Sequence, residues 1–168
     1  MTKTFALLAF VCLLGFTANA QRIAYVDVGS ILSSLNDYTA AQQTLDKQAA
    51  KWRQDIAQEY DQIKGLYNKY QAEQVLLSED ARQQREEEIM AREKKVRDMQ
   101  KSKFGPEGEL FQRRQELVQP IQDRVYSIIE DYANEKGYDF IFDKAGSTGM
   151  IFSNERYDKT EDVINRLK

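Results

Sequence analysis

The residues of this chain best suited to chemistry are two groups of carboxylates, Glu86-Glu87-Glu88 and the pair Asp139 and Asp143. Two acids flanking a cleft are what glycoside hydrolysis needs, one as acid and one as base or nucleophile. On a charged helix and in a short strand such acids are far more often solvated surface or strand-pairing partners, and that is the better reading of both groups. The chain has no histidine, so it lacks the commonest general base and the commonest metal ligand, which excludes histidine-based triads and histidine-bound metals. Its one cysteine, Cys12, has no partner for an intrachain disulfide and no companions for a zinc site. Gly105-Pro106-Glu107-Gly108 lacks the lysine and the spacing of a phosphate-binding loop. The sequence therefore predicts no catalytic residue, no metal ligand and no cofactor.

What remains is architecture. The chain has 168 residues, 30% of them charged, with only eight glycines and two prolines. That composition suits long exposed helices in one domain or two small ones better than a loop-rich enzyme. Lys3, the apolar run Phe5 to Leu14 and the small-x-small site Ala18-Asn19-Ala20 read as a secretory signal peptide over residues 1–20, with the mature chain starting at Gln21. The apolar run falls well short of the roughly 20 residues that span a bilayer, so no stable membrane anchor is expected. Cleavage would remove one lysine and no acid, taking the net charge from −3 to −4 and leaving no cysteine.

Arg22 to Val28 alternates, with Ala24, Val26 and Val28 on one face and Ile23 and Tyr25 on the other, and reads as a strand buried on both sides. Gly29-Ser30 ends it, and Ile31, Leu32 and Leu35 suggest a short helix. A long helix follows from Asp37 to Leu77. Its stripe runs Leu45, Ala49, Trp52, Ile56, Tyr60, Ile63, Tyr67 and Tyr70 in steps of three and four, with a local stutter at Trp52-Ile56-Tyr60. Ser78 is an N-cap, with Glu79 and Asp80 in the first turn of a second helix to Lys103. The charges of that helix alternate in sign, which fits a solvated surface and gives no nucleic-acid-binding face. Phe104-Gly105-Pro106-Glu107-Gly108 should break the helix, which resumes at Glu109 and ends at Lys136 before Gly137. Strands at Tyr138–Lys144 and Met150–Asn154 should pair as a hairpin across a glycine-containing loop, and Thr160 should cap a last helix.

The predicted fold is α+β: a long antiparallel helical hairpin over 37–136, turning near 78 and broken near 104–108, on a small β body made from residues 21–36 and 137–168. Such a body buries little apolar surface for a chain this size, and its strands are too hydrophobic to stand as open edges. Association through the sheet solves both problems. The expected interface is Ile23, Val26, Val28, Phe140, Phe142 and Ile151, with Val163 and Leu167 nearby.

The order of RIAYVDV, a long helix, LSEDARQQREEEI at the turn, PIQDRVYSIIEDYANEKGYDFIFDK and the closing YDKTEDVINRLK resembles the Skp/OmpH family across the whole mature chain. The resemblance implies a periplasmic, ATP-independent chaperone, trimeric through its β body, whose helical tentacles enclose unfolded outer-membrane proteins. Two departures stand out. The chain is slightly acidic, which does not favour lipopolysaccharide or anionic lipid at the arm tips, and FGPEGELF interrupts the returning helix, where a hinge is expected. A holdase needs adaptable apolar contacts, which Trp52, Tyr60, Tyr67, Tyr70, Met90, Met99 and Phe104 could supply to a client. The competing readings are that the same stripe only zips the hairpin, and that the protein is a coiled-coil spacer or adaptor of the cell envelope.

Overall fold

The computed structural model describes residues 21–146 and 149–168. The expected signal peptide at 1–20 and Ser147-Thr148 of the expected hairpin loop lie outside the described residues. In chain order the elements are β1 (Ile23–Val26), α1 (Val28–Ser33), α2 (Asn36–Glu73), α3 (Glu79–Phe104), α4 (Glu109–Lys136), β2 (Phe140–Asp143), a 3-10 turn at Glu155–Tyr157, and α5 (Thr160–Leu167). Two compact units result, one of Leu32–Tyr126 and one of the residues up to Ile31 with Ser127–Lys168. The α+β class therefore holds, with long helices and a two-stranded sheet drawn from both ends of the chain.

In the helical unit, α2 has 38 residues, a length of about 57 Å at 1.5 Å per residue. It lies antiparallel to α3: Trp52 meets Phe104, Lys95 reaches Glu59, Arg92 donates to Gln62, and the Tyr70 hydroxyl donates to Glu86. Ile56, Ile63, Ile89 and Val96 are buried between the two helices, with Leu66, Tyr70, Met99 and Phe104 packed on them. Each buried aliphatic side chain contributes roughly 1.5–3 kcal/mol.

This seam corrects the predicted stripe. It runs Trp52, Ile56, Glu59, Ile63, Leu66, Tyr70, a regular alternation of four and three, so the stutter expected at Tyr60 does not occur. Glu59 takes an apolar position, with its Oε2 buried and unpartnered among the described residues. Tyr60 and Tyr67 stand beside the seam rather than in it. The helix also stops at Glu73 instead of Leu77, because residues 74–77 are needed to reverse the chain. Ser78 caps α3 as expected, its Oγ accepting the Ala81 N–H at 3.3 Å.

The interruption after Phe104 is a bulge. Gly105 N–H closes α3 on the Lys101 carbonyl at 2.8 Å, Gly108 N–H returns to the Gly105 carbonyl at 2.9 Å, and Lys103 pairs with Glu109. Trp52 packs on Phe104 and also lines a hollow with Glu109 and Gln112, so residues 105–108 add chain without advancing along α2. A Cβ at Gly105 would run into the Lys101 carbonyl oxygen, and one at Gly108 would lie 2.8 Å from that of Ser102. Changing Gly105, Pro106 and Gly108 together to alanine is therefore incompatible with the bulge. It also removes breakers that cost a helix about 1 kcal/mol per glycine and about 3 for proline. Circular dichroism of that variant should show increased helicity. Unchanged helicity would mean that the Trp52–Phe104 and Lys103–Glu109 contacts impose the break by themselves.

In the unit of chain ends, β1 and β2 pair in parallel, with Ile23 opposite Phe140 and Val26 opposite Asp143. A parallel pair needs a long crossover, and the whole helical hairpin is that crossover. Gly137, at φ 66°, ends α4 in a Schellman motif, with Tyr138 N–H on the Ala133 carbonyl at 2.9 Å. Tyr132, Ile31, Val163 and Ile164 are buried with the Ala24–Val26 face. Burial, and next the hydrogen bond to Asp162, push the Tyr132 hydroxyl well above the ordinary phenol range.

Three expectations are corrected in this unit. Residues Met150–Asn154 form no strand, and Ile151 and Phe152 are 100% and 85% exposed. The edge of β1 away from β2 is engaged elsewhere, since the Tyr25 carbonyl accepts the Lys159 N–H at 2.9 Å. Thr160 does not cap α5 but opens it: Asp158 Oδ1 accepts both the Thr160 N–H and its hydroxyl, and Thr160 Oγ1 accepts the Asp27 N–H at 2.9 Å. Val26 and Val28, expected at a subunit interface, are already buried within the chain and have no surface to offer a second copy.

Asp158 is expected to make this unit acid-sensitive. Burial raises its pKa, but the Thr160 hydrogen bonds and the Lys144 charge outweigh that and hold it below the ordinary 3.8. A depressed folded-state pKa gives stability that is fully present above the unfolded value and lost as pH falls through the folded one. Thermal melts should therefore show a loss of stability below about pH 4 that is smaller in Asp158→Asn. An identical acid slope in the two proteins would show that Asp158 does not carry it.

Candidate functional site

The carboxylates considered for chemistry are each engaged in structural contacts. Glu88 pairs with Arg85 and Arg92, Glu87 accepts from Gln83, and Glu86 accepts from Tyr70, whose hydroxyl it pushes above its ordinary range. Asp139 accepts the Arg22 N–H at 2.7 Å, and Asp143 accepts those of Val28 and Ala145. These two acids pin opposite ends of the parallel ladder and do not face each other across a cleft. Among the described residues, no cluster of histidine, cysteine or carboxylate side chains is arranged to hold a metal ion.

The apolar candidates on the hairpin divide into two sets. Tyr70, Met99 and Phe104 pack on the buried seam, and Trp52 meets the Phe104 ring edge to face at 6.1 Å with Lys103 over its own ring. These four hold the helices together. Tyr60, Tyr67 and Met90 are 46%, 49% and 56% exposed. Tyr60 and Tyr67 are one heptad apart, and each follows a seam residue by four, so they form a margin that α3 does not cover. Beside Tyr60 lies a hollow of about 310 Å³ lined by Arg53, Ile56, Ala57, Gln100 and Phe104.

Sequence reasoning missed Val75 and Leu76, which stand almost wholly exposed where the hairpin reverses. The signal was available: three apolar residues directly before a capping serine cannot all belong to one helical stripe. It also missed Phe111, exposed just beyond the bulge.

On the unit of chain ends a second apolar surface stands open. Ile23, Phe140 and Phe142 share one face of the sheet, with the Phe140 and Phe142 rings stacked 6.2 Å apart. Ile23, Tyr25, Phe142, Met150, Phe152 and Tyr157 surround a hollow of about 370 Å³. Four of the expected interface residues, Ile23, Phe140, Phe142 and Ile151, are thus exposed. No helix among the described residues is long and apolar enough to cross a membrane.

Comparison with known proteins agrees with this architecture. A crystal structure of a Caulobacter crescentus CB15 protein, assigned as an outer membrane chaperone (OmpH-like), superposes with a TM-score of 0.68 at 12% identity. The match covers 88% of this chain and 84% of that one. At that identity the likeness speaks for the fold. No curated protein matches the sequence. The profile of the family described as outer membrane protein (OmpH-like) matches residues 22–167, from the residue before β1 to the last residue of α5. The chain belongs to the OmpH-like outer membrane protein family.

Proposed function

We propose that the protein is a periplasmic, ATP-independent holdase. In this reading it binds unfolded outer-membrane proteins between the helical arms of several associated copies and prevents their aggregation. The observation that carries the reading is the margin of Tyr60, Tyr67 and Met90, large adaptable side chains held exposed beside a seam that is zipped without them. Rings and thioethers give each client segment a weak contact, and the alternating charges around them keep the surface wet. Family membership and the OmpH-like structural relative support the same reading. Export through cleavage of residues 1–20 and assembly as a trimer through the chain-end unit belong to this proposal. The exposed Ile23, Phe140 and Phe142 face supports the assembly.

The test is light scattering of an unfolded outer-membrane β-barrel protein diluted from denaturant. Stoichiometric amounts of this protein, without nucleotide, should suppress its aggregation. A spacer or adaptor of the cell envelope would leave the scattering unchanged.

A further inference from the structure

Phe104 and the bulge that follows it form a distinct patch on the hairpin. Three hollows meet at Phe104. One is shared with Arg53 and Tyr60, the second with Arg97 and Lys101, and the third, of about 240 Å³, with Pro106, Phe111 and Arg114. No carboxylate lines any of the three. Arg97 is paired with Glu93, but Arg53, Lys101 and Arg114 are exposed and have no ion-pair partner among the described residues. Arg53 instead lies over the Phe104 ring, 5.7 Å from its centre. This concentration of unpaired cations stands in a chain whose net charge is −3, and on a hairpin where other cations, such as Arg85, Arg92 and Lys94, are matched to acids.

The geometry points to a subsite at Phe104 and the Gly105–Gly108 bulge for an unfolded polypeptide segment that presents an aromatic side chain flanked by carboxylates. The inference rests on the holdase reading and adds a preference to it. Phe104, Phe111 and Pro106 supply the apolar floor for the ring, while Arg53, Lys101 and Arg114 supply charge on its borders. The carboxylates of the segment would be held in water-accessible pairs. Such pairs are individually weak and screened by salt, so the preference should be graded and should fade as ionic strength rises. The bulge is what opens the patch, because a continuous helix would leave no recess between Phe104 and Phe111.

Trp52 is the only tryptophan in the chain and touches Phe104, so its fluorescence reports on this patch directly. The experiment titrates the full protein with three short soluble peptides: one carrying Asp-Phe-Asp, one carrying Lys-Phe-Lys, and one carrying Asp-Ser-Asp. The first should bind on the order of tenfold tighter than the second, since two weak attractions become two repulsions, and the third should not shift the emission. The triple variant Arg53→Gln, Lys101→Gln, Arg114→Gln changes only exposed side chains and should abolish the preference with unchanged helicity. Equal affinity for the Asp and Lys peptides overturns the inference. So does an emission shift produced by phosphatidylglycerol vesicles but by no peptide, which would make a lipid surface the occupant. A shift on raising protein concentration alone would assign the patch to a second copy and overturn it as well. Suppression of barrel aggregation by the wild type is measured in parallel. If that activity is present without the peptide preference, only the subsite fails; if both are absent, the holdase reading fails and the subsite with it.

Discussion

Phe142→Asp is expected to yield protein that no longer associates, while its helical hairpin remains folded. Phe142 lies on the exposed face of β2, stacked on Phe140 and bordering the hollow shared with Ile23, Met150 and Phe152. In a single copy the substituted carboxylate can reach water, so folding of the protomer is little affected. In an assembly that covers this face the same carboxylate would be desolvated with no cation opposite, which costs about 3–5 kcal/mol. Association should weaken by at least about a hundredfold, since each 1.4 kcal/mol is tenfold. Sedimentation velocity reads the mass and circular dichroism reads the hairpin. An unchanged sedimenting mass would show that copies associate elsewhere or that the protein was never assembled.

A second large effect is expected on the hairpin. Replacing Tyr60, Tyr67 and Met90 together with serine should reduce client protection several-fold and leave assembly intact. Aromatic contacts are worth about 0.5–1.5 kcal/mol each beyond their buried area, and a client touching several loses the sum. None of the three side chains is in the buried seam, and serine and tyrosine have similar helix propensities, so helicity should change little. The stripe read from the sequence includes Tyr70, but that residue packs on the seam and bonds to Glu86, so its loss would confuse binding with folding. If the variant protects an unfolded barrel as well as wild type does, client binding lies elsewhere on the chain.

The features that could be read from sequence were those set by local chemistry. Ser78 followed by two acids favours a helix start through contacts within one turn, and its Oγ accepts the Ala81 N–H. Gly137 after Lys136 specifies a stop, and Gly-Pro-Glu-Gly cannot continue a helix. The seam was harder, because a 3-4 stripe drawn through Tyr60 and Tyr67 is nearly as regular as the actual one through Glu59 and Leu66. Apolar preference chose the tyrosines, whereas packing against Ile89 and Val96 selects the positions one residue earlier and accepts a glutamate among them. The missing third strand has a similar origin. Met150-Ile151-Phe152 has strand composition, but composition alone supplies no pairing: among the described residues the ladder joins β1 to β2, and 150–154 joins neither strand while Met150 and Phe152 line the hollow with Ile23 and Phe142. Of the seven hairpin residues nominated for client contact, Tyr60, Tyr67 and Met90 are exposed, while the other four pack on or beside the seam. Their roles differ because of which helix faces them, and no single-helix pattern carries that information.

Asp158 and Thr160 show the same limit on a smaller scale. The sequence YDKTED reads as a helix start with threonine as cap. The long-range bond from Asp27 N–H to Thr160 Oγ1 joins residues 133 apart in the chain. It turns the threonine into a clip between the segment after the first strand and the last helix, whose N-cap position is Lys159 and whose first N–H, that of Thr160, is held by Asp158.

The most direct test of the chaperone account is native mass spectrometry of the chain from Gln21 onward, alone and after an unfolded outer-membrane barrel protein is diluted into it without nucleotide. The account predicts an oligomer of identical copies, expected to be three, and a soluble complex of that oligomer with the client. A monomer that leaves the barrel protein to precipitate would contradict it.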